Sequence, residues 1–213
     1  PRIPAVAEDM AKELGAGNRM PGILPRLAQY EVTLTDWISD HRDGREFVAL
    51  ANKCWPAFQT QFGFVPCYVN SRFASRGIPI ACEVDIWGAL SEYIASCITG
   101  DAVTILDINN TVPADMYEDS IKGRYNYRED DVFMGFHCGN TPVCKLCSPE
   151  LKYQLIMHNS LEPDTEPDIT RGTVEGAIVP GNITLFRLQS TADTVLRAYI
   201  AQGEVLPVAP DTF

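Results

Sequence analysis

Two carboxylates stand at the ends of apolar runs within residues 77–110, where a simple hydrophobic core would avoid charge. Glu83 follows the run IPIAC at 78–82, and Asp107 follows the run VTIL at 103–106. Burying a carboxylate is unfavourable unless a cation or hydrogen-bond donors compensate it. Two such groups, each at the exit of an apolar run, therefore favour a divalent metal site with acid/base chemistry.

Composition narrows the class of protein. The 213 residues allow one large domain or two small ones, and 46 % hydrophobic with 21 % charged residues is typical of a soluble globular protein. The formal net charge of −11 argues against a nucleic-acid partner. No apolar run approaches the roughly 20 residues of a membrane span. Seven scattered cysteines favour reduced thiols, and hence a cytoplasmic protein.

The first half of the chain has the alternation of an α/β fold. The 45–62 pattern is helical but contains Pro56, which is expected to kink or end a helix. The sequence predicts, in order, helix 5–15 ended by Gly15, helix 45–62, strand 65–69, helix 86–99 with Asp85 as N-cap and Gly100 as terminator, and a buried strand 103–106.

The second half has strand patterns with little helix. Residues 111–131 are polar and rich in turn formers, and residues 180–182 and 190–193 are natural hairpin connections. Strands are predicted at 132–137, 153–157, 172–179, 183–189 and 195–202. We therefore predict an α/β segment at 1–100 followed by an antiparallel β segment at 101–213, with a boundary near Gly100 or Asn110.

Two arrangements would bring Glu83 and Asp107 together. A strand, helix and strand crossover would place both at the same ends of neighbouring parallel strands, where α/β sheets bind ligands. A domain boundary at Gly100 would instead place them across a cleft. The structural alternative is that Glu83 caps a backbone turn and Asp107 starts a turn with Asn109 and Asn110. The pattern alone leaves these alternatives open.

The remaining candidates have ordinary structural explanations beside the functional ones. His137 ends an apolar run, but a lone histidine is more often structural than a ligand. Asp85 fits an N-cap better than a ligand. Cys144 and Cys147 form a CxxC pair, yet a zinc site needs a second ligand pair at matching distance, and none is evident beyond His158.

Three motifs resemble a known family. The segments ACEVDIWGALSEYI, ILDINN and FHCGN occur in the order and spacing of the L-fucose isomerase family, whose architecture is shared with L-arabinose isomerases. The resemblance extends from Cys54 to the C-terminus and includes TRGTVEGAIVPGNITLFRLQS and YIAQGEV, which look like the family's β-domain. It implies the middle α/β portion of such a protein joined to a β-barrel-like C-terminal domain.

The resemblance also implies a chemistry for the three motifs. Glu83 and Asp107 would be both the ligands of a manganese ion, Mn²⁺, and the catalytic acid/base pair. The metal would chelate O1 and O2 of an open-chain aldose, and a proton would move between C1 and C2 through a cis-enediol. His137, at the FHC position, would line the substrate site as a further candidate ligand. Family members are hexamers in which a neighbouring subunit helps to cover the site.

The chain departs from the family pattern in two respects. A further histidine completes the family's metal shell, but no histidine follows His158 here. Family members also begin with an additional α/β domain. We therefore expect a fragment of a ketol isomerase, truncated in its C-terminal domain and inactive in isolation. The alternatives are a non-catalytic carbohydrate- or metal-binding module of the same fold, and a zinc-stabilised domain built on Cys144 and Cys147.

Overall fold

A computed structural model describes residues 1–109, 111–138 and 140–208. Asn110 of the ILDINN segment, Gly139 of the FHCGN segment and the last residues of the predicted 101–213 unit lie outside the described residues. The helices are α1 (Arg2–Leu14), α2 (Leu24–His41), α3 (Ala57–Phe62), α4 (Cys67–Ala74), α5 (Ile86–Thr99), α6 (Ala114–Ser120) and α7 (Leu155–Leu161). The strands are β1 (Leu50–Ala51), β2 (Ile80–Ala81), β3 (Asp107–Asn109), β4 (Met134–Phe136), β5 (Leu146–Tyr153), β6 (Arg171–Ile178), β7 (Gly181–Ser190) and β8 (Leu196–Val205).

Helices α1, α2 and α4 form the centre of the hydrophobic core. Apolar side chains from all three helices are fully buried there, and β5 and β6 each contribute one more; they include Met10, Leu27, Tyr68, Leu151 and Val174. The predicted helix 5–15 is confirmed, because α1 ends at Gly15, whose φ of 53° suits a residue without a Cβ. None of the described helices has both the length and the apolar character needed to cross a membrane.

The strands pair two by two. β1 and β2 are parallel, with Leu50 opposite Ile80, whereas β3–β4, β5–β6 and β7–β8 are antiparallel. The fold is therefore mixed α/β with antiparallel strand pairs. The described strands form no closed barrel. The barrel-like form and the boundaries 1–100 and 101–213 stay predictions.

The prediction for α5 is confirmed residue by residue. Asp85 caps the helix by accepting a hydrogen bond from the Gly88 amide at 2.8 Å, and Gly100 ends it in the left-handed conformation at φ 65°. The predicted strands in 132–137, 172–179, 183–189 and 195–202 are also found as β4, β6, β7 and β8.

Two predictions near the prolines are wrong. Only 57–62 of the predicted helix 45–62 is helical, because Pro56 stands at its N-terminus and Leu50 and Ala51 pair with β2 instead. The predicted strand 65–69 lies mostly in α4, which begins directly after Pro66. Proline is favoured at a helix start, where its missing N–H costs nothing.

Three further predictions are wrong in the strands. Residues 103–106 form no strand, and β3 begins only at Asp107. Of the alternatives left open by the sequence, the parallel crossover through α5 therefore does not form: β2 pairs with β1, and β3 with β4. The predicted strand 153–157 is instead the end of β5 followed by α7. The predicted hairpin connection 180–182 overlaps the start of β7, and β6 and β7 do not pair with each other, whereas 190–193 does belong to the β7–β8 hairpin.

Candidate functional site

Glu83 lies on a strained turn at the carboxyl end of β2. Glu83 and Val84 both have φ of 59°, in the left-handed region that L-residues avoid. The Val84 amide donates to the Asn52 carbonyl at 2.9 Å, directly beyond the parallel β1–β2 pair. The turn leaves Glu83 exposed to solvent. The apolar run before Glu83 is thus buried, but the carboxylate itself is not.

Asp85 connects this turn to β7. Its Oδ1 accepts from the Gly88 amide, and both carboxylate oxygens accept from Arg187, with Nη1 to Oδ2 at 2.6 Å and Nη2 to Oδ1 at 2.9 Å. Burial raises the pKa of Asp85, but the hydrogen bonds from Arg187 and Gly88 outweigh it, so the pKa lies below its usual range. Asp85 is therefore an N-cap, as predicted, and also half of a bidentate ion pair.

Asp107 and His137 meet on the paired strands β3 and β4. Asp107 is opposite Phe136 in the register, so His137 follows immediately beside it. Nδ1 of His137 is 3.4 Å from Oδ2 of Asp107, at the long end of hydrogen-bonding distance. The histidine side chain is only 8 % exposed, whereas that of Asp107 is 65 % exposed. Nε2 of His137 is buried without a hydrogen-bond partner among the described residues.

The structure thus brings together two of the three predicted site residues. Among the described residues, the Glu83 side chain makes no hydrogen bond or ion pair with Asp107 or His137. The expectation that both carboxylates lie within reach of one cation, about 5 Å apart, remains a prediction.

The donor atoms of Glu83, Asp107 and His137 can be compared with those that a metal ion requires. Carboxylate oxygens suit a hard cation such as Mn²⁺, and the unpartnered Nε2 of His137 has the chemistry of a ligand. Within the described ranges, no three His, Cys, Asp or Glu side chains are arranged to hold a metal ion. The donor atoms are thus of the types that Mn²⁺ binds, but they are not arranged as a three-ligand site. Glu83 and Asp107 would need further ligands from solvent, substrate or another part of the protein.

The other histidines and the CxxC pair have local roles. Cys144 and Cys147 are exposed free thiols, and in the described part of the chain they belong to no three-ligand set. The Nε2 atom of His158 is 2.8 Å from the Thr165 carbonyl, and Nδ1 of His41 is 2.7 Å from the Trp37 carbonyl. In the described structure neither histidine makes a hydrogen bond or ion pair with Glu83 or Asp107.

Four cysteines from separate segments of the chain lie close together. Cys54, Cys67 and Cys82 are buried and Cys138 is half-buried. Hydrogen bonds from the Cys67 and Cys82 thiols lower the pKa of Cys138, and the same contacts raise the pKa of Cys67 and Cys82. Asn140 contributes an amide, which donates to Cys82 Sγ at 3.4 Å and to the Ile80 carbonyl at 3.1 Å. This cluster joins the residue before Glu83 to the residue after His137.

Glu92 is a buried carboxyl on α5 that the sequence analysis did not single out. It is 6 % exposed, and its Oε2 has no hydrogen-bond partner in the described structure. Burial, with the negative charge of Asp85, raises the pKa of Glu92 to about 8, although a hydrogen bond from the Ile105 backbone opposes the shift. A charged residue within the apolar stretch ALSEYIA was the available signal. Arg187 gave no such signal, because its partner is 102 positions away.

Comparison with known proteins finds a family match for part of the chain. Residues 135–213 match the family described as L-fucose isomerase, C-terminal domain. The matched region begins within β4 and contains β5 to β8, and it includes His137 and Arg187. The resemblance to the L-fucose isomerase family drawn from the three motifs is confirmed.

The individual relatives carry a more particular name. A sulfoquinovose isomerase of Alkalicoccus urumqiensis is 26 % identical over 203 residues, which cover 94 % of this chain and 39 % of the relative. A sulfoquinovose isomerase of Priestia aryabhattai is also 26 % identical, with the same coverage, and one of Clostridium sp. (strain MSTE9) is 27 % identical over 74 % of this chain. The chain spans about 39 % of the length of the first of these relatives. No solved structure has significant similarity to it.

Proposed function

We propose that this chain is the part of a metal-dependent aldose–ketose isomerase that supplies its acid/base carboxylates. The observation that carries the proposal is the Asp107–His137 pair, whose buried Nε2 is left without a partner among the described residues. An imidazole atom that the described chain does not satisfy is typical of a site that a ligand completes. The relatives' printed name, sulfoquinovose isomerase, supports the reaction class.

In this proposal the two carboxylates have different surroundings and different roles. Glu83 is exposed on its turn, so it can reach a substrate carbon and move the proton between C1 and C2 of an open-chain sugar through a cis-enediol. Asp107 is oriented by His137 and handles the proton of the neighbouring hydroxyl. His137 holds Asp107 through Nδ1, and its buried Nε2 is left for a bound ligand to satisfy.

The proposal includes a divalent cation, for which Mn²⁺ is the candidate. Glu83 and Asp107 would hold it, with His137 as a possible further ligand, because carboxylates and imidazole suit this ion. Such a cation polarises the oxygens on C1 and C2 when it is bound. The carboxylates on the chain remain the groups that exchange protons.

The substrate, assembly and location belong to the same proposal. Sulfoquinovose and L-fucose are the two sugars named by the relatives and by the matched domain, so an aldose of that size is the proposed substrate. A homo-oligomer, hexameric as in the family that the motifs resemble, and a cytoplasmic location are proposed from that resemblance. Activity is expected from a longer protein of the relatives' length, and not from these 213 residues alone.

A non-catalytic carbohydrate- or metal-binding module is the second candidate. It is favoured by the long Asp107–His137 distance of 3.4 Å and by the lack of any three-ligand set in the described residues. Such a module would bind sugar without converting it. Measurement of ketose formation separates the two functions.

The test removes one charge at a time in the full-length protein. We expect Glu83→Gln to lower turnover at least ~10²-fold and to weaken Mn²⁺ binding, because an amide neither accepts the proton nor ligates a hard cation well. Asp107→Asn should behave alike, and the double variant should lose less than the product of the two factors. Ketose formation from sulfoquinovose and from L-fucose, with and without manganese, is the measurement.

Glu118→Gln is the matched control, since Glu118 is an exposed carboxylate on α6 that already has an ion-pair partner, Lys122. It should keep full turnover. Near wild-type turnover in Glu83→Gln would exclude Glu83 as the base. Sugar binding without any ketose in the unmodified protein would favour the binding module.

A further inference from the structure

The Glu83 turn has a conformation that requires support from elsewhere in the fold. Left-handed backbone is unfavourable at a non-glycine residue, and here Glu83 and Val84 adopt it in succession at φ 59°. Val84 is β-branched, which makes the strain greater. Strain of this kind persists only where the surrounding contacts over-determine the conformation.

The contacts that hold the turn come from both sides. The Val84 amide donates to the Asn52 carbonyl, next to β1, at 2.9 Å. Within the turn itself, the Asp85 amide donates to the Cys82 carbonyl at 3.0 Å. After it, Asp85 is fixed by the Gly88 amide and by Arg187. A Cβ at position 88 would lie 2.4 Å from Asp85 Oδ2, so the helix start and the carboxylate approach as closely as glycine allows.

Arg187 is the most distant of these contacts in sequence. It projects from β7 and binds both oxygens of Asp85, a geometry that fixes the direction of the carboxylate as well as its distance. A second link holds α5 to β7, because the Leu188 amide donates to Ser91 Oγ at 2.9 Å. Two polar contacts therefore attach α5, and the turn before it, to the matched domain.

We infer that Arg187 is a positioning residue for Glu83: through Asp85 it holds the left-handed turn that presents the carboxylate. This inference rests on the proposed function of Glu83. Among the described residues, neither Asp85 nor Arg187 makes a hydrogen bond or ion pair with Asp107 or His137, so the effect of Arg187 on Glu83 is transmitted through the backbone of the turn.

The first test is local and needs no activity. Hydrogen–deuterium exchange of the 213-residue chain reports the amides of Val84, Asp85 and Gly88. We expect Arg187→Gln to speed their exchange at least ~10-fold, because a bidentate charged contact is lost. Arg187→Lys should give an intermediate exchange rate, since lysine keeps the positive charge but lacks the two parallel N–H donors of the guanidinium.

Arg197→Gln is the matched control. Arg197 lies on the neighbouring strand β8 and also forms a bidentate ion pair, with Asp193, at the exposed end of the β7–β8 hairpin. It should leave the three amides unchanged. Equal protection of these amides in Arg187→Gln and Arg197→Gln would overturn the inference. If Arg187→Gln does not fold, the comparison of Arg187→Lys with Arg197→Lys decides it on the same amides.

The second test separates this inference from the proposed function. In the full-length protein, Arg187→Gln should lower kcat about 10-fold with little change in KM, because Arg187 does not itself bind sugar, and Arg187→Lys should recover part of the loss. Full turnover in Glu83→Gln would end the proposed function. Loss of turnover in Glu83→Gln, with full turnover in Arg187→Gln, would leave the proposed function intact and end the positioning role.

Discussion

The helical core around Arg72 and the turn around Glu83 handle charge in opposite ways. In the core, the Arg72 side chain is 8 % exposed and donates to Glu31 and Glu13 at 2.7 Å and to Asp9 at 2.6 Å. Burial lowers the pKa of Arg72, but these carboxylates outweigh it and raise the pKa. At the turn, Glu83 is exposed, and in the described structure its carboxylate has no partner.

The difference distinguishes a scaffold from a site. A charge that the chain itself satisfies inside the core fixes how α1, α2 and α4 pack, and its removal leaves the others uncompensated. Polar groups that the described chain leaves without a partner, the Glu83 carboxylate and Nε2 of His137, contribute little to packing and are the groups that a ligand can satisfy. We therefore expect stability to depend on the first region and chemistry on the second.

The largest expected effect on stability is at Arg72. Arg72→Met keeps the length of the side chain but leaves Glu31, which is 3 % exposed, with Arg76 as its remaining ion-pair partner. We expect a loss of about 3–5 kcal/mol in the free energy of unfolding, the cost of breaking a buried ion pair from one side. Urea unfolding at pH 7 measures it.

Arg2→Met is the control for this change, because Arg2 pairs with Asp36 on the surface of the same helices. It should leave the urea midpoint almost unchanged. Equal effects of the two variants would show that Arg72 is no more important than a surface pair, and would remove the contrast between core and turn.

A smaller effect is expected at Glu92, a buried charge without the compensation that Arg72 has. The pKa of Glu92 is about 8 in the folded protein against 4.5 ordinarily, so the folded state holds this proton more tightly than the unfolded chain. The free energy of unfolding should therefore fall as the pH rises from about 4.5 to about 8. Glu92→Gln should flatten this fall and be more stable by about 1–3 kcal/mol at pH 8.

Urea unfolding of both proteins between pH 4.5 and pH 8.5 checks this prediction. At pH 4.5 the two should be similar, because Glu92 is neutral in the folded chain and only about half ionised in the unfolded chain. Parallel stability curves over the whole range would mean that Glu92 does not hold its proton on folding.

The smallest expected effect is at Val84. Val84→Gly removes the side chain that makes φ of 59° unfavourable, and Val84 is 48 % exposed, so little packing is lost. The relief of strain and the greater freedom of the unfolded chain partly cancel, and we expect a change between zero and about 1 kcal/mol in favour of the variant.

Gly100→Ala supplies the opposite case, because Gly100 has φ of 65° and a Cβ there would create strain. It should lower the free energy of unfolding by about 1 kcal/mol. A clear loss of stability in Val84→Gly would show that the turn is not strained, and would weaken the argument that Arg187 is needed to hold it.

Local signals in the sequence decided which parts of the fold could be predicted. The Asp85 cap, the apolar spacing and Gly100 identified α5, because each acts within one helical turn. Strand 65–69 was wrong since the β-propensity of Tyr68 and Val69 was overridden by packing in the core. β1 and β2 are two residues long, too short for any periodic pattern.

The site was predicted only in part for a related reason. Asp107 and His137 could be named from the motifs, and β3 and β4 bring them together. The Asp85–Arg187 pair and the cluster of Cys54, Cys67, Cys82 and Cys138 could not be foreseen, since they depend on contacts between segments far apart in the chain. The burial of Glu92 could not be predicted without knowing which side of α5 is buried.

The Asp85–Arg187 contact also sets an order of events during synthesis. Asp85 leaves the ribosome 102 residues before Arg187, which at about 5–20 residues per second is an interval of roughly 5–20 s. During that interval the nascent chain can form α5, whose signals are local, but the turn before it has no arginine to hold it. We expect the Glu83 carboxylate to reach its final position only after β7 has emerged, so that the site is among the last parts of the molecule to mature.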